Sequence, residues 1–223
     1  MKAAGVDIRP GDIATDSVEK LTSLLLGVDI LISTVVPFTD QRPIFQAAKA
    51  AGVKRVLPSE FGPFIPEDVL TLADQVCTPT CILETGLIAN QKYEIRKFIQ
   101  SLGLNYTFVL IGCWLELMFP FPHSLNSELF PFEKNQNVFS AEGDKLLACT
   151  SRKSIGPFVA RIISDPRTLN QVVIAYDVEL SEKDAWKIAE KVTGEDFSDY
   201  LRVRTPSLCS FLSLVDTVKD VCR

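Results

Sequence analysis

Between Ser17 and Gly27 the chain places Leu21, Leu24 and Leu25 at helical spacing. Apolar residues three and four apart share one helix face, so this stretch predicts an amphipathic helix. Asp16 and Ser17 are candidate caps for its first free amides, and Gly27 ends it. Upstream, Gly5 takes the place of a helix C-cap, and Val6–Arg9 reads as a short extended run. Residues 28–35 are β-branched and nearly continuously apolar, the mark of a strand buried on both faces.

The alternation continues. Residues 42–52 are helix-like, with Pro43 in the first turn and Gly52 at the end. Residues 53–58 form another short strand. In residues 89–103, Ile95, Phe98, Ile99 and Leu102 share one helical face and Gly103 stops the helix. Residues 105–112 form a strand. Strand and helix in turn predict an α/β fold with right-handed crossovers and a parallel sheet.

The second half is less regular. Residues 118–136 carry proline and aromatics without a period and read as a loop or lid. Residues 137–150 predict a hairpin with Glu142-Gly143-Asp144 as its turn. Residues 154–164 predict a helix ended by Asp165-Pro166, and residues 169–176 a strand. Residues 181–194 predict a helix with Ser181 as N-cap and Asp184 three residues on. Residues 208–222 read as a last amphipathic helix.

Composition narrows the class. The 223 residues are 47% hydrophobic and 23% charged, enough for a sizeable core. A net charge of −5 and the lack of a dense Lys/Arg tract argue against a nucleic-acid surface. The apolar run at 28–38 is too short to span a bilayer, and the first residues lack the logic of a signal peptide. The expectation is a cytoplasmic protein without a membrane partner. Of the cysteines, only Cys77 and Cys81 are close, and His123 is the single histidine. A zinc site would need two more ligands, so the cysteines read as reduced thiols and no metal is expected. Cys113 and Cys149 read as core.

Five segments stand in an order that carries a likeness: Gly5–Ile13, Val28–Val35, Gln46–Gly62, Gln91–Val109 and Gly112–Pro120. Together they resemble the NmrA-like family, and within it the isoflavone-reductase-like proteins, with Cys113-Trp114-Leu115-Glu116-Leu117 in the fungal form. Residues 161–173 extend the likeness. The resemblance implies an atypical short-chain dehydrogenase relative: a Rossmann-like, doubly wound parallel sheet that binds NADP(H), beside a smaller substrate domain. It divides the chain into a dinucleotide part, 1–112, and a substrate-binding and lid part, 113–223, with 154–175 packing back on the Rossmann sheet.

A Rossmann fold needs a glycine-rich turn after its first strand. Glycines 5, 11, 27 and 52 fit no such pattern. Measured against the family, the likeness begins at the third strand. The expectation is therefore a sheet lacking its first two strands and its glycine loop, an N-terminally truncated member. The edge of residues 28–35 would then be exposed and open to association.

The resemblance also assigns residues. Lys92 matches the lysine that acts as general acid or base near the nicotinamide. It would open its helix, where the dipole and burial both disfavour its charge. Arg96 lies one turn later; on the residues alone, both read as solvated cations on the polar face of an amphipathic helix. Ser59, Glu60 and Phe61 end a strand at the edge where ligands bind doubly wound sheets. The alternative there is a plain loop, with Glu60 solvated and Phe61 in the core. Trp114 matches an aromatic at the nicotinamide end, or serves the core. Gly112 stands where plant enzymes have asparagine. Thr34 and Val35 match the adenosine side, and Asp12 the acid near the adenine, or a plain turn residue. Residues 74–90 depart from the family's path, and residues 150–156 lack its usual acid. His123 reads as a surface residue.

The implied function is an NADPH-dependent reductase of a small, aromatic or other carbonyl-type metabolite. The missing glycine loop argues against activity of this chain alone. The alternatives are a dinucleotide-sensing NmrA-like regulator and an inactive fragment.

Overall fold

The computed structural model describes residues 5–36, 39–63, 79–125, 138–140 and 143–203; side chains are not described at 79–89, 138–140 and 201–203. The chain divides into two compact units. The first holds Met1–Glu60, Thr78–Val109 and Asp165–Val173, and the second Phe61–Cys77, Leu110–Ser164 and Ile174–Arg223.

In the first unit, helix α1 spans Val18–Leu25, and the Ser17 side chain accepts from the Lys20 amide. Strand β1 is Ile30–Ile32. Helix α2, Arg42–Ala51, ends at Gly52, whose φ of 76° is the left-handed conformation that glycine adopts freely. Strand β2, Arg55–Leu57, pairs parallel with β1, Ile30 opposite Arg55. Helix α3 runs Pro79–Ser101 and leads to strand β3, Thr107–Leu110. A parallel bridge, Val56 to Tyr106, links β2 to the approach of β3. The core packs Leu21, Leu25, Phe45, Ala48, Val56, Ile95, Ile99 and Phe108 together, with Phe98 and Leu102 at its margin. The helical periods of the sequence therefore mark the buried faces of α1 and α3. Arg55 lies in this core and donates to the Thr107 and Thr168 hydroxyls.

Two expectations for this unit change. Val6–Arg9 forms no strand, and Val6 and Ile8 are exposed. Nor is β1 buried on both faces: Ile30 and Leu31 are half-buried and Ile32 is exposed. Among the described residues β1 has a strand neighbour on one side only, β2.

In the second unit, strand β4 (Cys113–Trp114) lies parallel to β6 (Leu146–Thr150), and β6 antiparallel to β8 (Val178–Ser181). Strand β5, Val138–Ser140, is parallel to β9, Leu201–Val203. Among the described residues the predicted hairpin does not form, because β5 and β6 each pair with strands distant in sequence. Such pairings leave no local signal. Helix α4 spans Arg152–Ser164; strand β7, Gln171–Ile174, lies mostly in the first unit, where it neighbours β3. Helix α5, Glu182–Thr193, starts at Ser181, whose hydroxyl accepts from the Asp184 amide and donates to its carboxylate. Its core joins Met118, Leu147, Cys149, Ala185, Trp186, Ala189 and Phe197. Cys113 and Cys149 stand opposite each other on β4 and β6 as free thiols, with burial pushing them up to about 11 and about 12. The predicted helix at 208–222, residues 126–136 of the predicted lid and residues 137, 141 and 142 of the predicted hairpin lie outside the described residues.

Candidate functional site

Parallel pairing brings the carboxyl ends of β1 and β2 to one edge of their sheet. Thr34 and Val35 follow β1, and Ser59 and Glu60 follow β2 after Pro58. The Ser59 hydroxyl donates to the Val35 carbonyl at 2.7 Å, tying the two strand ends together. The Ser59 amide donates to the Gln41 side-chain oxygen at 3.0 Å. Gln41 is buried at the start of α2 and gives its helix no side-chain cap; it serves the strand loop instead. Glutamine at a helix start carries no sequence signal for that role. Thr34 is exposed and Val35 half-buried.

The Ser59-Glu60 loop answers to helix α3. Lys92 Nζ donates to the Glu60 main-chain carbonyl at 2.5 Å. Arg96 donates from Nε and Nη2 to the two Glu60 carboxylate oxygens, at 2.6 and 2.8 Å. The Glu60 side chain is 1% exposed and that of Arg96 16%. Neither plain alternative stands: Glu60 is not solvated, Phe61 is half-buried rather than core, and Lys92 and Arg96 are partly buried and engaged. Burial pushes the Lys92 ammonium below the usual lysine range; the Glu60 charge opposes this and the Arg96 charge adds to it.

One premise about Lys92 is corrected. It does not open its helix. The helix starts at Pro79, roughly three and a half turns upstream, beyond the first turn where the dipole acts. Burial, not the helix end, lowers its proton affinity. Residues 79–90 carry no clear apolar period, which hid this extension from the sequence.

In the second unit, Trp114 Nε1 donates to the Phe61 carbonyl at 2.9 Å, and Phe61 takes the unusual φ of 27°. Trp114 is 36% exposed. Glu116 accepts from the Ser151 hydroxyl and the Arg152 amide, both at 3.0 Å. It thus sets a carboxylate against the start of α4. Asp12, in the first unit, accepts from the Ala14 amide at 2.8 Å and donates its own amide to Asp16. That is a turn closed on itself. His123 is exposed at its ring and stacks on Phe197.

Among the described residues no three His, Cys, Asp or Glu side chains gather as metal ligands, and no helix is long and apolar enough to cross a membrane.

Parallel strands joined through helices, with polar groups at their carboxyl ends, define a Rossmann-type α/β protein. The comparisons agree. The sequence model of the NmrA-like family matches residues 1–208, and the chain belongs to that family. It is 31% identical over 198 residues to asnovolin J 5′,6′-dehydrogenase of Aspergillus novofumigatus, covering 87% of this chain and 56% of that protein. It is 31% identical over 175 residues to an isoflavone reductase homolog of Nicotiana tabacum, covering 77% of this chain and 52% of the relative. The chain thus spans a little over half the length of these relatives. Among solved structures, a leucoanthocyanidin reductase–NADPH complex from Vitis vinifera matches with a TM-score of 0.67 at 22% identity, over 91% of this chain and 64% of that one. An isoflavone reductase matches with a TM-score of 0.64 at 24% identity, over 92% and 62%. These structures share the fold.

Proposed function

We propose that this chain is a reductase-like protein that uses NADPH on a small, aromatic metabolite, with Lys92 giving or taking the proton. One observation carries this reading: a half-buried amine is held on the Glu60 carbonyl, at the carboxyl end of β2, with its charge disfavoured by burial. An acid or base works best when its pKa lies near the working pH, and burial moves a lysine that way. The names of the relatives, a dehydrogenase and reductase homologs, support the same class.

The residues fit one end of the dinucleotide. A nicotinamide needs polar groups at the strand ends and a proton source, and Ser59, Glu60 and Lys92 are such groups. A pyrophosphate needs a glycine-rich turn, and this sequence holds none. Bound NADPH supplies the hydride. The chain's residues orient the ring and move the proton at Lys92 Nζ. Phe61 and Trp114 at the nicotinamide end, Thr34 and Val35 on the adenosine side and Asp12 by the adenine belong to the same proposal. So does the division into a dinucleotide part at 1–112 and a substrate and lid part at 113–223.

A second reading, a dinucleotide-sensing regulator without catalysis, draws on the engagement of the Lys92 amine by Glu60. Titration calorimetry with NADPH on the 223-residue chain separates the two when followed by turnover. The reductase reading expects saturable binding, and a kcat for Lys92→Ala lower by about 100-fold or more with binding retained. Binding with no turnover on any aromatic carbonyl or enone favours the regulator. A folded chain that does not bind NADPH ends both readings.

A further inference from the structure

We infer that Glu60 and Arg96 are positioning residues for Lys92: one loop residue holds the lysine by its carbonyl and is itself held, by its carboxylate, from the next turn of the same helix. The inference rests on the reading of Lys92 as the proton-transfer group, but its geometry stands apart from any turnover.

Lys92 and Arg96 lie at i and i+4 on α3, where two cations repel each other. Both instead converge on Glu60. The arginine grips the carboxylate with two donors, the strongest common form of ion pair, and its guanidinium also lies 5.5 Å from the centre of the Phe108 ring. The carboxylate is almost wholly buried and occupied, so it is not offered to a ligand. What Glu60 gives the site is its carbonyl. That carbonyl is fixed because the Glu60 amide donates to Pro58, and because Ser59 is tied to Val35 and Gln41. An ammonium has three donors, and Glu60 takes one. Among the described residues no other acceptor takes a Lys92 donor, which leaves the others for a substrate, a cofactor hydroxyl or water, in a direction that the clamp sets.

The two charges pull Lys92 in opposite senses. The Glu60 carboxylate favours the ammonium and the Arg96 guanidinium disfavours it. A merely structural pair would loosen the loop when either member is lost, and both losses would move the amine the same way. A positioning and tuning pair predicts opposite movements.

The test reads the amine itself. The full chain is labelled with trace acetic anhydride between pH 7 and pH 11, and acetylation of Lys92 is followed by peptide mass spectrometry. Glu60→Gln keeps the carbonyl and removes the charge. Its Lys92 is expected to react about threefold faster at pH 8, the effect of roughly half a pKa unit. In Arg96→Leu it is expected to react about threefold slower, and Arg96→Lys is expected to stay near the wild type. Circular dichroism checks that each variant folds. A partly buried Arg96 without its partner endangers Glu60→Gln. In that case the double variant Glu60→Gln/Arg96→Leu must react faster than Arg96→Leu alone. Movement of both single variants in one direction, or no movement in either, overturns the inference. Opposite movements in a chain that turns over no substrate leave the inference standing and remove the reductase reading.

Discussion

Gly112 shows what a single position can demand. Its φ is 65°, and a Cβ built there would lie 2.1 Å from the Ala148 carbonyl oxygen on the neighbouring strand. Left-handed backbone alone is tolerable for asparagine, but this contact is not. The glycine at this position, where the resemblance implies an asparagine in the plant enzymes, is therefore a packing requirement of β4 against β6. Gly112→Ala is expected to lose about 1–3 kcal/mol or more, read as a lower urea midpoint. The sequence showed the replacement without its cause, because the clash involves a strand more than thirty residues away. Glu60 repeats the lesson. A glutamate after a proline and a serine reads as a solvated loop residue, and only the fold sets it against Arg96.

At the scale of elements, local rules served well where the partner was local. Ser17 and Ser181 cap their helices as their side chains predict, and Gly52 and Gly194 close theirs in left-handed backbone. Helix α4 adds a distant group to its local one: the Ser151 hydroxyl accepts from the Lys153 amide, and Glu116, about 35 residues upstream, takes the Arg152 amide. Burial alone would raise the Glu116 carboxyl; the bonds from its own amide, Arg152 and Ser151, with the Arg152 charge, outweigh that and hold it below the usual glutamate range. A carboxylate with a depressed pKa stabilises the fold above its unfolded value and loses this as pH falls through its folded one. Glu116→Ala is expected to cost about 1 kcal/mol at pH 7, and less at pH 3. Paired denaturation curves at the two pH values check it. The β5–β6 hairpin failed for the same reason that this cap was missed: the partners, β9 and β8, lie outside any local window.

For the whole molecule, the exposed side of β1 matters most. Ile32 is 37% exposed on a strand that, among the described residues, pairs only with β2. Unpaired strand edges recruit other strands. Association that rises with concentration is expected, and Ile32→Lys is expected to suppress it; multi-angle light scattering reads both. Equal association in the two would clear this edge.

The sequence by itself determined the alternation of strands and helices, the buried faces of α1 and α3, the helix caps and the family likeness. These depend on periods and neighbours a few residues apart, which the chain carries openly. The tertiary structure alone decided that Lys92 lies within its helix rather than at its start, and that Glu60 faces inward. It also decided that Gln41 serves a strand loop and that Glu116 caps a distant helix. Those facts depend on which segments meet, and burial and ion pairing acquire a direction only after the chain has folded.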